Sequence, residues 1–500
     1  MMSLRRGYGF GVGSVVAFAA LLSHVQCTDS GSNGTNNLPE GGGDMTVVVR
    51  PPDPPTDLTI GSINPPRVAQ AQSSTVLSIG GTGFKAGATV TVGGVTCDTP
   101  VVSQVNYTGT LISCMLPAQP KTCGPQTVVV TNPDGKSATD TMSFLRFPGA
   151  PAYAARAALT TAAQPDGVAT GDLNADGKLD IVFGQRSTNT VAVRLGVGDG
   201  TFAAAVPYGS GGTAPVEVAL ADFNGDNKPD IAVAHLNGGG VSILLNTGTG
   251  TFGAAKAVAY VGAHGIATGD INGDGKMDVL ATNTSTGAVG VFLGDGTGTL
   301  TAPIPSTVSV GQLPYDLAIG DLNKDGKLDF VATNFTDKTL SIRLGSGTGG
   351  FSTTATIATG AGPVGVALAD LNRDGILDAV VANQTAGTAS IYLGDGSGSF
   401  LNPTTLTTGS QVRQVIAVDL NRDGLLDLAF TNQGASSLGV YLGDGQGGFA
   451  GVTGATLFAT GTTPYGIAAG DFNGDGNVDL VTTDFGSSSQ SVFLATEQCK

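Results

Sequence analysis

Seven copies of one nine-residue pattern contain the residues best suited to chemistry. Each copy has Asp at positions 1, 5 and 9 and Asn at position 3. Alternate side chains of such a loop can turn toward one point, and position 7 can add its backbone carbonyl. An all-oxygen cage of this kind suits a hard cation, and six or seven ligands favour Ca²⁺ over the strict octahedron of Mg²⁺. There is no sulfur or nitrogen ligand, so zinc and copper are not expected.

The pattern predicts up to seven structural Ca²⁺ ions, one in each of loops 1 to 7. Position 7 is named for its carbonyl oxygen. The predicted ligands, loop by loop, are Asp172, Asn174, Asp176, Lys178, Asp180; Asp222, Asn224, Asp226, Lys228, Asp230; Asp270, Asn272, Asp274, Lys276, Asp278; Asp321, Asn323, Asp325, Lys327, Asp329; Asp370, Asn372, Asp374, Ile376, Asp378; Asp419, Asn421, Asp423, Leu425, Asp427; and Asp471, Asn473, Asp475, Asn477, Asp479.

The residues around each loop predict strands rather than helices. Position 6 is Gly in six copies and Asn227 in the second, the residue types that enter the left-handed region most easily. An EF-hand would need Glu at position 12 and a helix on each side, but a short apolar run typical of a buried strand follows each loop. Turn formation alone would not require Asp at three fixed positions in every copy.

The loops also supply most of the negative charge of the chain. Of the 39 acidic residues only three are Glu, and 21 of the Asp residues belong to the loops. Seven Ca²⁺ ions would bring the formal charge from −16 to about −2. The acidity is therefore mainly a property of the metal-free chain, and it argues against nucleic acid or an anionic membrane as a partner.

The spacing of the loops, 48 to 52 residues, suits a four-stranded propeller blade better than a helical hairpin. Each unit also carries a glycine hairpin, such as Leu393-Gly-Asp-Gly-Ser-Gly-Ser-Phe400. Together these motifs resemble FG-GAP/VCBS repeats, the family of the integrin α-subunit propeller. The resemblance implies an all-β chain with a seven-bladed β-propeller over residues 151–498. The seventh unit lacks its hairpin and an extra strand precedes the first loop near residues 154–160, so we expect the N-terminal strand to complete the blade that begins near Tyr465.

The N-terminal part has three predicted segments. Residues 1–27, with Arg5, Arg6 and an apolar stretch too short to span a membrane, predict a secretion signal. Cys27 resembles a lipoprotein cysteine, whereas His24 and Gln26 depart from the usual pattern, so a secreted form and a lipid-anchored form both remain open. Residues 28–58 predict a flexible linker.

Residues 59–147 contain short alternating strands with Gly and Pro turns, which predict a small β-sandwich. They resemble the IPT/TIG family, an immunoglobulin-like module of extracellular proteins. The resemblance implies a disulfide between Cys97 and Cys114 and no catalytic residue. Cys123 and Cys499 are left over, and their pairing remains open.

Successive strands of an up-and-down blade run in opposite directions. The calcium loops and glycine hairpins are therefore expected on one face of the propeller and the more variable connections on the other. The integrin-like resemblance implies that the variable face meets ligands. Its candidate residues lie in the turns 185–189 and 334–338 and just before the inner strands, at Asp166, Glu217, His264, Tyr315, Asp316, Arg413 and Tyr465.

We expect a secreted or cell-surface module that binds an extracellular protein or polysaccharide, without catalysis. A lectin is one alternative, although the chain has no Trp and only 6% aromatic residues; Tyr315 and Tyr465 could still stack on sugars. A calcium-dependent polysaccharide-active enzyme is the other alternative. It would have few acid–base groups, because beyond the signal only His235 and His264 are present, and we expect His235 to be partly buried in a blade.

Overall fold

The computed structural model describes residues 57–64, 67–69, 76–105, 109–116, 124–140, 145–147, 151–154, 156–162, 164–301, 307–451 and 457–496. The predicted signal, Cys27, nearly all of the linker, Cys123 and Cys499 lie outside these residues. Every regular element described is a β-strand. In the described ranges no helix is long and apolar enough to cross a membrane.

The N-terminal module is a β-sandwich. Its strands are β1 (Thr59–Asn64), β2 (Arg67–Ala69), β3 (Val76–Thr82), β4 (Thr89–Val92), β5 (Val95–Thr96), β6 (Asp98–Val105), β7 (Gly109–Met115), β8 (Gly124–Pro125), β9 (Val128–Thr131), β10 (Ser137–Asp140) and β11 (Leu145–Phe147). They form sheets of order β1-β3-β7-β6, β10-β9-β4-β5 and β2-β11-β8. Leu77 and Ile112 of the first sheet share one buried cluster with Val90 and Val130 of the second, because alternate side chains of each strand point inward. Cys97 and Cys114 are joined by a disulfide, as the resemblance implied.

Seven antiparallel sheets follow, which we number as blades 1 to 7 after their loops. The strands of blades 1 to 3, preceded by β12 (Ala157–Thr160), are β13 (Pro165–Gly171), β14 (Asp180–Gln185), β15 (Thr190–Arg194), β16 (Val206–Gly209); β17 (Thr213–Ala221), β18 (Asp230–Gly238), β19 (Val241–Leu244), β20 (Lys256–Val258); and β21 (Ala263–Gly269), β22 (Asp278–Asn283), β23 (Ala288–Phe292), β24 (Thr307–Ser309).

Blades 4 to 7 continue the same order. Their strands are β25 (Pro314–Gly320), β26 (Asp329–Asn334), β27 (Thr339–Gly345), β28 (Phe351–Ala358); β29 (Pro363–Ala369), β30 (Asp378–Asn383), β31 (Thr388–Tyr392), β32 (Thr404–Thr407); β33 (Val412–Val418), β34 (Asp427–Asn432), β35 (Ser437–Gly443), β36 (Phe449–Gly451), β37 (Phe458–Ala459); and β38 (Pro464–Gly470), β39 (Asp479–Asp484), β40 (Ser489–Phe493). In blade 6 the outer position is shared by β36 and β37, which both pair with β35.

The blades form a closed ring. Inner strands β13, β17, β21, β25, β29, β33 and β38 each contact the next, and β38 contacts β13. The second strand of each blade is buried along its whole length apart from the last residues of β18, because neighbouring blades cover both of its faces. The seven-bladed all-β fold predicted from the sequence is confirmed.

The ring closes through the N-terminal strand, as predicted. β12 pairs antiparallel with β40, with Ala157 opposite Val492 and Thr160 opposite Ser489. Arg194 of blade 1 reinforces the joint, because its Nε donates to Gln490 Oε1 at 2.9 Å and its Nη2 donates to the Thr160 carbonyl. The blade therefore combines strands from both ends of the propeller and leaves no open sheet edge between them.

Candidate calcium loops and candidate binding face

The nine-residue loops are built from nested turns in which side-chain oxygens accept backbone N–H groups. In loop 1, Asn174 Oδ1 accepts from Asp176 N at 3.1 Å, Asp176 Oδ1 from Lys178 N at 3.0 Å and Asp172 Oδ2 from Gly177 N at 2.8 Å. The same three bonds recur in the other six loops. These bonds turn the side chains of positions 1, 3 and 5 inward along the loop.

Two positions of each loop adopt left-handed backbone. Position 6 does so in every copy, and Asn227 with φ of 61° fits there as predicted. Position 4 does so as well, which the sequence reasoning missed. Gly occupies position 4 in loops 2, 3 and 7, but Ala175, Lys324, Arg373 and Arg422 occupy it in the others with φ between 59° and 64°.

Position 9 has a role that the spacing did not reveal. Asp180 is fully buried, with Oδ2 accepting from Leu173 N at 2.8 Å and Oδ1 from Gly196 N at 2.8 Å. The other six position-9 residues are buried and make the equivalent pair of bonds. Since Gly196 lies in the glycine hairpin, the position-9 carboxylates of blades 1 to 6 tie each loop to the hairpin of the same blade. In blade 7, which has no hairpin, Asp479 accepts from Ala495 N instead.

The donor set of the loops fits a hard cation. Burial raises the pKa of Asp180, and the nearby Asp176 and Asp172 carboxylates raise it further, so the three negative charges lie close together. Every predicted ligand atom is an oxygen. Across the described residues, however, no three His, Cys, Asp or Glu side chains are already arranged around a common metal position.

The opposite end of the inner strands holds a small axial pocket. It brings together the seven single residues predicted for the variable face and four others, Gly167, Val364, Gln414 and Gly466, whereas the predicted turns 185–189 and 334–338 do not line it. The lining residues are Asp166, Gly167, Glu217, His264, Tyr315, Asp316, Val364, Arg413, Gln414, Tyr465 and Gly466. Each is the second or third residue of an inner strand except Glu217, which is the fifth residue of β17, and all seven blades contribute. The cavity measures about 20 Å³, room for about one water molecule.

Alternating glycines make the pocket possible. A methyl group on Gly167 would lie 2.7 Å from Glu217 Oε1, and one on Gly365 would lie 2.7 Å from Gln414 Oε1. Gly265 has the same relation to Asp316, whose Cα would be 2.7 Å away. The glycine of one blade thus leaves room for the polar side chain of the next. The partners are about fifty residues apart in sequence, so this pairing could not be found from local patterns.

Two arginines enclose a stacked aromatic pair beside the pocket. Arg413 lies 3.7 Å from the ring centre of Tyr465, which stacks on Phe485 at 4.5 Å and an interplanar angle of 13°. Arg186 lies 5.8 Å from the Phe485 ring. Both guanidinium groups approach the buried Asp166 carboxylate, Arg186 to 3.4 Å and Arg413 to 3.8 Å. These contacts join blades 6, 7 and 1, which are the blades around the ring closure.

Burial is the largest influence on the pKa values of the titratable residues that line the pocket. It raises the pKa of Asp166 to about 6 against the opposing effect of Arg413 and Arg186. It also raises the pKa of Asp316 to about 6, and that of Glu217 well above its usual range with the help of Asp316 and Asp166. Burial and the two arginines lower the pKa of His264 to about 3. His264 is therefore neutral, and its Nδ1 donates to the Tyr315 carbonyl at 3.0 Å.

His235 lies elsewhere, in the interior of blade 2. It is fully buried with Nδ1 3.2 Å from the Gly240 carbonyl, and burial lowers its pKa. The sequence predicted a partly buried position in a blade; the structure places His235 in a blade but buries it completely.

Comparison with known families identifies the repeat. Six overlapping segments match the model of the FG-GAP-like repeat, at residues 172–233, 222–281, 270–332, 321–381, 370–430 and 419–482. The chain belongs to the FG-GAP-like repeat family. Residues 58–144 match the IPT/TIG domain. No curated protein matches the chain.

Several solved structures are similar to part of this chain. One contains BBS1N in complex with ARL6DN, at 14% identity over 69% of this chain and 98% of the other, with a TM-score of 0.49. A functionally unknown protein from Desulfotomaculum acetoxidans has 14% identity over 67% and 94%, with a TM-score of 0.44. The periplasmic gluconolactonase PpgL of Pseudomonas aeruginosa has 15% identity over 69% and 94%, with a TM-score of 0.45. At these identities nothing follows about the ligand of this chain.

Proposed function

We propose that this FG-GAP repeat chain is an exported interaction module, secreted or held at the cell surface, whose axial face captures an extracellular protein or polymer. Up to seven Ca²⁺ ions bound in loops 1 to 7 stabilise the blades on the other face. The observation that carries the proposal is the convergence of acidic, basic and aromatic side chains from six of the seven blades at one end of the ring, with Val364 from blade 5.

The two faces are physically separate. Asp166 lies at the start of β13 and Asp172 follows its end, and a seven-residue strand is about 23 Å long. The calcium loops therefore stand at the far end of the inner strands from the axial pocket. A ligand at the axial face would leave the loops undisturbed, which suits a structural role for the metal.

We propose no catalytic role for this chain. A water-sized cavity does not accommodate a substrate, since ligand pockets usually measure several hundred Å³. His264 donates to a backbone carbonyl and His235 is enclosed in a blade. A sugar-stacking role is also disfavoured at Tyr465, because Arg413 covers one face of its ring and Phe485 stacks on it.

The test measures capture by the calcium-loaded chain of peptide and polysaccharide panels immobilised on a surface. Tyr315→Ala and Gln414→Ala should reduce capture about tenfold or more, since each removes a central contact of the kind that dominates interfaces. Thr348→Ala, in a glycine hairpin beside the calcium loops, is the matched control. Equal capture by all three variants with unchanged melting would refute the axial face as the binding surface.

A further inference from the structure

Three of the seven loops have a glycine directly after the position-3 asparagine. The Asn-Gly pairs are Asn224-Gly225 in loop 2, Asn272-Gly273 in loop 3 and Asn473-Gly474 in loop 7. The residues that follow the asparagine in loops 1, 4, 5 and 6 are Ala175, Lys324, Arg373 and Arg422. Asn is a labile residue of proteins, and a following glycine leaves its side-chain amide open to attack by the backbone nitrogen, which a Cβ hinders.

The hydrogen bonds of loop 2 favour such an attack. The Gly225 N–H donates to Asp222 Oδ1 at 2.8 Å, so a carboxylate lies beside the nitrogen that would attack. The Asp226 N–H donates to Asn224 Oδ1 at 3.0 Å, so a donor lies beside the oxygen that would gain negative charge. Both contacts are within the reach of a general base or a stabilising donor. The Asn224 amide therefore has both groups in place.

Loops 3 and 7 have the same arrangement. The glycine N–H donates to the position-1 carboxylate at 2.7 or 2.8 Å, in the pairs Gly273–Asp270 and Gly474–Asp471. The position-3 oxygen accepts from the position-5 N–H at 2.9 or 3.0 Å, in the pairs Asn272–Asp274 and Asn473–Asp475. In all three loops the position-4 glycine is exposed, so water reaches the site.

We propose that Asn224, Asn272 and Asn473 are sites of spontaneous deamidation in the metal-free chain. The nitrogen of the following glycine attacks the side-chain Cγ and passes its proton to the position-1 carboxylate. The new N–C bond closes a cyclic succinimide, an intramolecular step that proximity favours. The bond from Cγ to Nδ2 breaks, and the side-chain nitrogen takes up that proton and leaves as ammonia. Water then opens the ring to aspartate or isoaspartate.

Either product alters the loop. Aspartate at position 3 adds a fourth carboxylate to the three already present. Isoaspartate lengthens the backbone by a methylene group and so disrupts the nested turns. The modification therefore changes the three loops in which it occurs and leaves the other four as they are.

Ca²⁺ protects these residues, and the protection rests on the proposed calcium function. Asp222 and Asn224 are both predicted oxygen ligands of loop 2. While they hold a cation, the carboxylate is not available as a base and the amide is fixed as a ligand. Deamidation is therefore confined to chains that have lost their calcium.

Peptide mass spectrometry of the full chain, incubated at neutral pH with a chelator or with Ca²⁺, tests the proposal. In chelator, Asn224, Asn272 and Asn473 should convert about tenfold or more faster than the position-3 asparagines that precede a Cβ. Excess Ca²⁺ should suppress this conversion. The control is Asn237-Gly238 in β18, outside the loops, where Asn237 is exposed and should convert at the same rate in both conditions.

Two reciprocal substitutions isolate the effect of glycine. Gly225→Ala gives loop 2 the Asn-Ala pair of loop 1, and the added methyl group has no atom within 4 Å beyond its chain neighbours. It should slow conversion of Asn224 about tenfold or more, and Ala175→Gly should speed conversion of Asn174 to a similar extent. Both positions already have left-handed backbone, with φ of 74° and 59°, and melting temperatures check that the variants fold.

The outcomes separate deamidation from calcium binding. Absence of conversion in loops 2, 3 and 7 in chelator, or equal conversion in all seven loops, would overturn the modification sites, and the wild-type chain alone decides this if a variant does not fold. Equal conversion with and without Ca²⁺, in a chain that equilibrium dialysis shows to bind it, would overturn the protection. So would an equally large calcium effect at Asn237. Conversion in a chain that binds no Ca²⁺ would overturn the calcium function and support the modification sites.

Discussion

At the scale of single residues, the aspartates of one loop differ in burial and therefore in how much their hydrogen bonds contribute to stability. Asp321 of loop 4 is partly exposed and shares its oxygens with loop backbone, whereas Asp329 is fully buried and accepts from Leu322 N and Gly345 N. Water can replace the first set of bonds but cannot reach the second. Losing a buried acceptor therefore costs more than losing an exposed one.

This contrast predicts the effect of two matched substitutions. Asp329→Ala should lower the free energy of unfolding by about 2–4 kcal/mol, because two buried N–H groups lose a charged acceptor. Asp321→Ala should cost about 1 kcal/mol under the same calcium-free conditions. Urea unfolding in the presence of a chelator measures both. Equal losses would show that position 9 is not the backbone anchor described above.

Glu217 makes stability depend on pH. Burial, with the Asp316 and Asp166 carboxylates, raises its pKa well above the usual range, while Arg413 opposes this only partly. The folded chain therefore loses stability as pH rises through that pKa. Glu217→Gln has no charge to bury, so its melting temperature should exceed that of wild type at pH 8, and the gain should shrink toward pH 4. A gain that is constant over this range would contradict the assignment.

At the scale of elements, the blades differ in the hydrogen bonds of one buried Asn side chain near the end of the second strand. In blade 4, Asn334 Nδ2 donates to Thr339 and to Ser341 at 3.0 Å each. In blade 6 the equivalent Asn432 has no partner for either side-chain atom, and Ser437 Oγ is also unsatisfied. Gly439 stands where blade 4 has Ser341, so the hydroxyl that would accept from Asn432 is missing.

Restoring that hydroxyl should stabilise blade 6. A Cβ on Gly439 would lie 3.1 Å from Asn432 Nδ2 and 3.3 Å from Tyr441 Cε2, so a serine places its hydroxyl beside the amide once these two side chains move by a few tenths of an ångström. Gly439→Ser should raise the free energy of unfolding by about 1 kcal/mol. Gly290→Ser, at the same position of blade 3, is the control and should be destabilising, because its Cβ would lie 2.8 Å from the Tyr260 ring. Thermal melting that shows no gain for Gly439→Ser would reject the missing hydroxyl as the cause.

The sequence predicted the repeated loops and the blade that is shared between the two ends of the propeller. The Asp spacing located the loops, and the lack of a hairpin after Phe493 indicated the shared blade. The residues before the inner strands pointed to the axial face. It did not predict the second role of Asp180, because spacing cannot distinguish a buried from an exposed carboxylate. Nor did it predict how Gly167 accommodates Glu217, since that contact joins two blades.

At the scale of the whole molecule, the ring depends on a joint between distant parts of the chain. Arg194 connects blade 1 to blade 7 through Gln490 and Thr160, and it is 6% exposed. Arg343 holds the same position in blade 4, is similarly buried and bonds to Ser309 and Ala355 carbonyls instead. Both arginines are buried and donate hydrogen bonds to backbone carbonyls, but only Arg194 connects the first and last blades of the ring.

Arg194→Met should therefore loosen the closure selectively. We expect a loss of about 2–3 kcal/mol for both Arg194→Met and Arg343→Met, because each removes buried charge-assisted bonds. Limited proteolysis of the native chain should cut near residues 157–160 faster in the first variant only. Comparable cleavage there in both variants would mean that Arg194 does not hold the closing strand.

The metal content and melting temperature of the purified chain, measured with and without a chelator, show whether calcium stabilises the ring. We expect several bound Ca²⁺ ions per chain, up to seven, and a lower melting temperature after their removal. A site filled at ten to a hundred times its Kd contributes about 1–3 kcal/mol. A chain that binds no Ca²⁺, or whose melting temperature is the same in calcium and in chelator, would show that calcium does not stabilise the ring.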